Sequence, residues 1–212
     1  MNNYLNDSIK LSLQPGRIPM SYNHRHETDS FHTLSPQGLD YLPPALASRT
    51  NQKGSHQRPP RLRITHDDKT PGRPIVARIV KLPIANLHIF NPGHNYDCRI
   101  SINLEVNLAS ASIALDSLVL PFDHTTNLKE PPEVPRVKDR ISYTHLAYSI
   151  DLTQVQRKGL EASHELELEM DSAVLRLEME KLRGGEGNGF ADLVAGFLDN
   201  ALFLMGQRPR VG

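Results

Sequence analysis

The sequence predicts a mainly β protein with helices at its C-terminal end, an α+β fold class, and three observations support this prediction. From Arg61 onward, apolar and polar residues alternate in several short segments, which is the period of a half-buried strand. Turn-forming residues such as Asn91-Pro92-Gly93 separate these segments. Beyond Asp171 the period becomes that of an amphipathic helix. Many short strands joined by turns favour an antiparallel sheet or barrel.

The first sixty residues show little hydrophobic periodicity, so we expect irregular structure there. His24-Arg25-His26-Glu27 looks like a ligand pair, but a loop position with no partner residues favours plain surface polarity. Residues 45–60 are polar and predict a flexible loop. The whole chain, 1–212, is long enough for one domain with a real core, and 207–212 form a tail.

The predicted strands follow one another in order along the rest of the chain. They cover residues 61–65, 75–82, 87–90, 98–108, 136–143, 148–155 and 164–171. Asp171-Ser172 then predicts the cap of a helix that ends near Leu182, where Gly184-Gly185 follows. From Phe190 to Leu202, apolar residues recur at helical spacing, which predicts a second helix.

Composition narrows the function classes. The 24 basic and 24 acidic residues cancel, so any preference for nucleic acid or a membrane must be local. One cysteine, Cys98, excludes an internal disulfide framework and fits a reducing compartment, nuclear or cytosolic. The sequence has no signal peptide and no apolar run near the roughly 20 residues of a membrane helix, so we expect no membrane partner.

The acidic strand carries the clearest chemical signal. Glu165, Glu167 and Glu169 lie on one face of a strand, where neighbouring carboxylates stand about 7 Å apart. Three like charges so close repel one another unless they face water or hold a cation. Taken alone, the pattern fits a solvated outer face and a metal site equally well.

The basic strands favour the metal site. Arg136, Lys138 and Arg140 share one face, and Arg99 shares one with Glu105. Segregation of the two signs by strand suits a barrel with a charged lumen, in which carboxylates on one wall hold a metal and cations on the other hold an anion. Carboxylate oxygens select Mg²⁺ or Mn²⁺, and guanidinium groups suit phosphate. Glu105 could orient or deprotonate the attacking water.

At these segments the chain resembles the fungal mRNA 5′-triphosphatases, the β subunits of the mRNA-capping enzyme within the triphosphate tunnel metalloenzymes. The resemblance rests on residues 96–105, 136–143, 150–153 and 164–169, with weaker matches at 28–31 and 63–65. It implies an eight-stranded antiparallel tunnel barrel, Mg²⁺ or Mn²⁺ dependence, and removal of the γ-phosphate from 5′-triphosphate RNA in the nucleus. It also implies an mRNA guanylyltransferase (capping enzyme α subunit) as partner and a homodimer.

The resemblance also implies roles for single residues. Glu169 would bind the metal, with Glu167 and Asp151 holding metal-bound waters. Glu165 would support the acidic wall, and Glu105 would position the attacking water. The phosphate path would be lined by Arg63, Arg99, Arg136, Lys138 and Arg140.

Two departures from the family pattern bear on these expectations. The family often has an arginine where Ser149 stands. The family's tunnel also begins with an acidic strand and a helix, and residues 1–6 look like the end of that helix, so we expect an incomplete barrel. The sequence therefore leaves open a different class of function, a non-catalytic subunit that binds polyanions or the guanylyltransferase. It also leaves open inorganic polyphosphate or free nucleotide as substrate.

Overall fold

The computed structural model describes residues 1–44, 46, 60–92, 96–108, 114–120 and 134–206. The helices described in full are α1 (Asn2–Ser12), α2 (Pro36–Asp40), α3 (Leu115–Leu118), α4 (Ser172–Arg183) and α5 (Phe190–Gly206). The strands are β1 (Ser21–Thr33), β2 (Arg61–Asp67), β3 (Ile75–Ile89), β4 (Cys98–Asn107), β5 (Arg136–His145), β6 (Tyr148–Gln156) and β7 (Ser163–Met170). The predicted class, mainly β with C-terminal helices, is confirmed. The 45–60 segment, except residues 46 and 60, and the 207–212 tail lie outside the described residues.

All seven strands belong to one antiparallel sheet in the order β4-β3-β2-β1-β5-β6-β7. The sheet curls into a half-barrel whose two edges, β4 and β7, have no further strand partner among the described residues. An incomplete barrel is therefore confirmed, and the eighth strand of the expected tunnel is not among the described residues. β1 lies at the centre, with Asp29 opposite Thr65 of β2 on one side and Arg136 of β5 on the other.

The main hydrophobic core lies on the convex face of the β2 to β4 half of the sheet. Leu62, Ile64 and Val80 are almost fully buried there, packed against apolar side chains in and around α2 and α3 that include Leu34, Leu42 and Leu118. Side chains alternate across a strand, so the neighbours of these core residues, such as Arg61 and Arg63, face the concave side. Packing of the outer face thereby aims the charged residues inward.

The N-terminal region is regular, and the expectation of irregular structure there was wrong. α1 packs on the convex face of β5, where Leu5 is buried and the Tyr143 hydroxyl contacts the side-chain oxygens of Asn2 and Asn6 at 2.5 and 2.9 Å. β1 is a strand of 13 residues with polar side chains on both faces. Hydrophobic periodicity could not reveal it because neither face is apolar.

The third strand is longer than the sequence predicted. Residues 75–82 and 87–90 were expected to form two strands, but β3 runs unbroken through 15 residues. The register shifts between Pro83 and Ala85 at a β-bulge. A bulge tolerates proline because the ladder is already interrupted there, so the strand continues past Pro83.

The C-terminal helices pack beside β7. The Asp171 carboxylate caps α4 by accepting hydrogen bonds from the backbone N–H groups of Ala173 and Val174, as the sequence predicts. α5 contacts α4 and β7, and the Tyr148 hydroxyl donates to the Leu193 carbonyl at 2.9 Å. Within the described residues, no helix has the length and apolar character needed to cross a membrane.

Candidate functional site

The concave face of the sheet forms a groove of about 1010 Å³ between the β4 and β7 edges. This volume is large enough for a small-molecule ligand. Side chains of β2, β3, β4, β7 and α5 line it, among them Arg63, Lys81, Asn86, His88, Arg99, Ser101, Asn103, Glu167, Glu169 and Phe197. The predicted phosphate-binding residues Arg63 and Arg99 and the predicted metal ligands Glu167 and Glu169 therefore face one cavity.

One arginine of β5 joins the acidic residues of the two following strands. Arg140 reaches across β6 with its Nη1 atom 2.8 Å from Asp151 Oδ2 and its Nη2 atom 3.2 Å from Glu167 Oε2. Its Nε group donates to the Thr153 hydroxyl at 3.1 Å. The register causes this meeting, because Thr153 lies opposite both Arg140 and Glu165, and Asp151 lies opposite Glu167.

Arg136 holds Glu165 in a similar way. Its Nη2 atom lies 2.7 and 2.8 Å from the two carboxylate oxygens of Glu165. The expectation that carboxylates and cations line opposite walls was wrong for this half of the sheet. β5 and β7 both flank β6, so their long side chains meet above it. Ion pairing of this kind offsets part of the repulsion within the acidic strand.

A buried lysine lies at the centre of the concave face. Lys138 is 3% exposed, and its Nζ atom lies 2.9 Å from Asp29 Oδ2 and 3.2 Å from Glu27 Oε2. Asp29 also accepts a hydrogen bond from the Thr65 hydroxyl at 2.7 Å. Because β1 lies between β5 and β2, its two acidic residues place compensating charge beside the lysine. The ammonium group of Lys138, which was predicted to contact phosphate, is thus enclosed by protein carboxylates.

The far side of the groove carries cations with fewer partners. Within the described residues Arg63 and Arg99 form no salt bridge, and the Arg63 Nε group is buried without a hydrogen-bond partner. A buried donor left unpaired is costly, so an acceptor in the groove would stabilise it. Glu105 of β4 lies opposite Lys81 of β3, and its Oε1 atom is 3.2 Å from Lys81 Nζ. Arg63 and Arg99 suit an anion.

The acidic end of the groove favours a cation. Burial, followed by repulsion from Asp151 and Glu167, raises the pKa of the Glu169 carboxyl. The residue as a whole nevertheless remains exposed to the groove, beside these two carboxylates. Arg140 and Lys81 oppose the shift without cancelling it. A carboxyl whose ionised form is disfavoured by like charges is a natural ligand for a divalent cation.

Comparison with known proteins identifies the family to which the chain is similar. A family model described as mRNA capping enzyme, beta chain, matches residues 1–208. The chain belongs to this family. The mRNA-capping enzyme subunit beta of Candida albicans is 31% identical over 210 residues, which are 97% of this chain and 35% of that protein. The Schizosaccharomyces pombe subunit is 25% identical over 209 residues, 96% of this chain and 57% of that protein.

A solved structure shares the fold. It is that of the Schizosaccharomyces pombe Pct1 RNA triphosphatase in complex with the Spt5 CTD, with a TM-score of 0.68 and 25% identity. The match covers 98% of this chain and 67% of that chain. The resemblance inferred from the sequence is thereby confirmed. This capping-enzyme beta-chain family member spans between 35% and 57% of the length of the two curated relatives compared.

Sequence reasoning missed part of the beta-chain groove. Arg25, Glu27 and Lys81 were not among the predicted site residues, yet Arg25 Nη2 donates to the Ser142 hydroxyl at 2.9 Å and Glu27 pairs with Lys138. Alternation of Arg25, Glu27 and Asp29 at period two was the available signal. Ser149, where the family often has arginine, lies opposite Glu169 and adds no positive charge beside it.

Proposed function

We propose that the chain acts as a polynucleotide 5′-triphosphatase that removes the γ-phosphate from the 5′-triphosphate end of nascent mRNA, the first step of cap formation. The observation that carries the proposal is one groove that combines the carboxylates of Glu167 and Glu169 with the guanidinium groups of Arg63 and Arg99. Family membership and the likeness to an RNA triphosphatase structure support it. The enzyme class is a metal-dependent hydrolase of phosphoanhydride bonds.

The acidic residues of the groove fit Mg²⁺ or Mn²⁺. Glu169 offers a hard oxygen ligand whose charge Arg140 and Lys81 compensate only in part, and Glu167 and Asp151 beside it would hold the waters of such an ion. In the described part of the chain, no His or Cys side chain forms a three-ligand group with these carboxylates. When bound, the ion would polarise the terminal phosphate.

The remaining residues would handle the phosphate chain and the water. Arg63 and Arg99 would bind phosphate oxygens and offset the charge that develops on them. Glu105, which pairs with Lys81, would accept a proton from a water molecule while the oxygen of that water attacks the γ-phosphorus. The bond between the γ-phosphorus and the bridging oxygen then breaks, which leaves inorganic phosphate and a diphosphate RNA end. Arg136, Lys138 and Arg140 would keep the carboxylates in place between turnovers.

Phosphate release from 5′-triphosphate RNA, measured with and without Mg²⁺ or Mn²⁺, tests this function. We expect metal-dependent release. Loss of an outer-shell partner lowers the activity of a metal site about 10–100-fold, so Glu169→Ala, which removes a direct ligand, should lower kcat by at least that factor. Glu186→Ala removes an exposed glutamate outside the groove and should leave the rate unchanged. Full activity in Glu169→Ala would contradict the assignment.

A non-catalytic role is the second candidate, and the open sheet edges favour it. Because β4 and β7 are unpaired among the described residues, the carboxylates of β7 face only part of a closed cage. The groove could then bind polyanions on its arginines without turnover. Calorimetric titration of tripolyphosphate in the presence of Mn²⁺ separates the two, since tight binding without phosphate release supports the second candidate. Release from tripolyphosphate or free nucleotide would broaden the substrate class.

We also propose the partners and location that go with this function. The curated relatives are named as the beta subunit of the capping enzyme, which supports an mRNA guanylyltransferase, the α subunit, as partner. Such a partner would take the diphosphate end that this reaction produces. A nuclear location and a homodimer remain predictions. Co-purification with the guanylyltransferase and the mass of the purified chain in solution would test them.

A further inference from the structure

Three side chains that can bind a metal converge on the outer surface of the sheet. His24 and His26 project from the convex face of β1, and Asp139 projects from β5 directly opposite His26. Their ligand atoms all lie within 4.8 Å of one another. The sequence placed His24-Arg25-His26-Glu27 in a loop without partners, and the structure places it in a strand with one.

The three groups converge on a single oxygen atom. Asp139 Oδ1 lies 2.5 Å from His24 Nε2 and 3.7 Å from His26 Nε2. The two imidazole rings lie side by side, with 4.7 Å between their centroids. In tetrahedral zinc sites the ligand atoms stand about 3.3 Å apart, because each lies about 2.0 Å from the ion. Small rotations of these three partly or fully exposed side chains would bring the ligand atoms toward that spacing.

We propose that His24, His26 and Asp139 bind Zn²⁺ on the convex face. Neutral imidazole nitrogen is a preferred ligand for Zn²⁺, and a carboxylate oxygen completes a three-ligand set with an open position for water. Two nitrogen ligands distinguish this set from the all-oxygen carboxylates of the groove, which suit Mg²⁺ or Mn²⁺. The site thus differs from the proposed catalytic one in ligand chemistry and in preferred ion.

The surroundings permit such a site. The three side chains are 36%, 42% and 47% exposed, so an ion can reach them without movement of the backbone. His24 and Asp139 also border a surface cavity of about 460 Å³. One cation lies near, since Lys69 Nζ donates to the His24 backbone carbonyl at 2.6 Å. Its repulsion lowers affinity and argues for a site of moderate strength.

Alternation along β1 separates this site from the groove. Arg25 and Glu27 lie between and beside the two histidines in sequence and face the concave side. An ion on the convex face would therefore connect β1 to β5 from outside and leave the groove open. Because it connects strands about 115 residues apart in sequence, it would add a long-range cross-link that resists unfolding.

Isothermal titration of the full chain with ZnCl₂ in metal-free buffer tests the proposal. We expect saturable binding of one ion to the convex site and a rise in Tm at saturating zinc. Loss of an outer-shell partner lowers metal affinity about 10–100-fold. His24→Ala and His26→Ala each remove a direct ligand and should weaken zinc binding by at least that factor. His145→Ala removes a histidine outside the cluster and serves as the matched control.

Zinc that binds in the groove is identified by a second variant. The double substitution Glu167→Gln and Glu169→Gln removes the acidic ligands of the groove and leaves the convex cluster intact. Zinc binding and the rise in Tm that survive this change but vanish in His24→Ala with His26→Ala support the proposal. Equal affinity in wild type and the double histidine variant overturns it, and so does the absence of saturable binding. Circular dichroism without metal confirms that each variant is folded.

Discussion

Lys138 is a buried lysine, whereas most lysines lie on the surface of a protein. Its ammonium group is buried between Glu27 and Asp29, so each charge depends on the others for its stability. A buried ion pair adds little stability compared with an apolar pair of similar size. Removal of one member, however, leaves an uncompensated charge in the interior. At this position the groove therefore relies on a complete set of three charges.

We predict that Lys138→Met lowers the free energy of unfolding by about 3–5 kcal/mol, because two buried carboxylates lose their counter-charge. Urea unfolding followed by circular dichroism measures the change. Lys158→Met, at an exposed turn position, should stay within about 0.5 kcal/mol of wild type. Equal stability of the two variants would show that Glu27 and Asp29 do not need the lysine.

Glu169 should make stability depend on pH. Burial and the neighbouring carboxylates raise the pKa of its carboxyl in the folded state above the value in the unfolded chain. Ionisation is then easier in the unfolded state, so ionised Glu169 destabilises the fold above the folded pKa. This penalty disappears as pH falls through the folded pKa to below the unfolded value.

In metal-free buffer at neutral pH, we predict that Glu169→Gln is more stable than wild type although it loses the proposed activity. Thermal unfolding from neutral to acidic pH should show the difference in Tm shrinking as the wild-type carboxyl becomes protonated. Glu161→Gln, at an exposed position, should show no such difference. A glutamine variant that is less stable at neutral pH would contradict the electrostatic interpretation of Glu169.

Among the elements, β1 shows most clearly what the sequence could not reveal. The strands β2, β4 and β5 to β7 were predicted because each includes apolar positions at period two. β1 has none on its concave face before Phe31, and its convex face presents His24 and His26. Pairing with β2 and β5 alone makes it a strand, and such pairing depends on residues far away in the chain.

At Gly196, where α5 contacts Tyr148 of β6, close packing favours glycine although helix propensity favours alanine. An added Cβ at Gly196 would lie 2.6 Å from the Tyr148 hydroxyl oxygen, which real structures avoid. Alanine in a helix gains about 1 kcal/mol over glycine, whereas overpacking costs about 1–3 kcal/mol. We predict that Gly196→Ala destabilises the wild type but is neutral or stabilising in a Tyr148→Phe background. A double-mutant cycle by urea unfolding measures this reversal, and additive effects would exclude the clash.

For the whole molecule, alternation predicted which charged residues share a face but not which of them pair. Glu165, Glu167 and Glu169 were placed together because strand geometry fixes their spacing. The pairing of Glu165 with Arg136 and of Glu167 with Arg140 depends on the register of three strands, which turns and distant contacts set. The absence of a hydrogen-bond partner for the buried Nε group of Arg63 likewise cannot be read from the sequence.

Because the chain has no net charge, its attraction for polyphosphate must come from the local arginines. We predict that affinity for tripolyphosphate falls as ionic strength rises, since salt screens exposed charges over about 10 Å at 0.1 M. Arg99→Ala should bind more weakly and show a flatter dependence on salt. Arg183→Ala, outside the groove, should behave like wild type. Calorimetry at several salt concentrations gives both quantities, and equal slopes for all three proteins would exclude a role for Arg99.

The central position of β1 has a consequence for the order of folding. A ribosome makes β1 before β2, yet the other side of β1 pairs with β5, where Ser21 meets Thr144. Until β5 emerges, β1 is an edge strand with polar backbone groups exposed, and sheets with such long-range pairing fold slowly. Polar and charged side chains on both faces of β1 disfavour pairing of this edge with another chain. We therefore expect a strand without an apolar face to associate less readily before β5 is made.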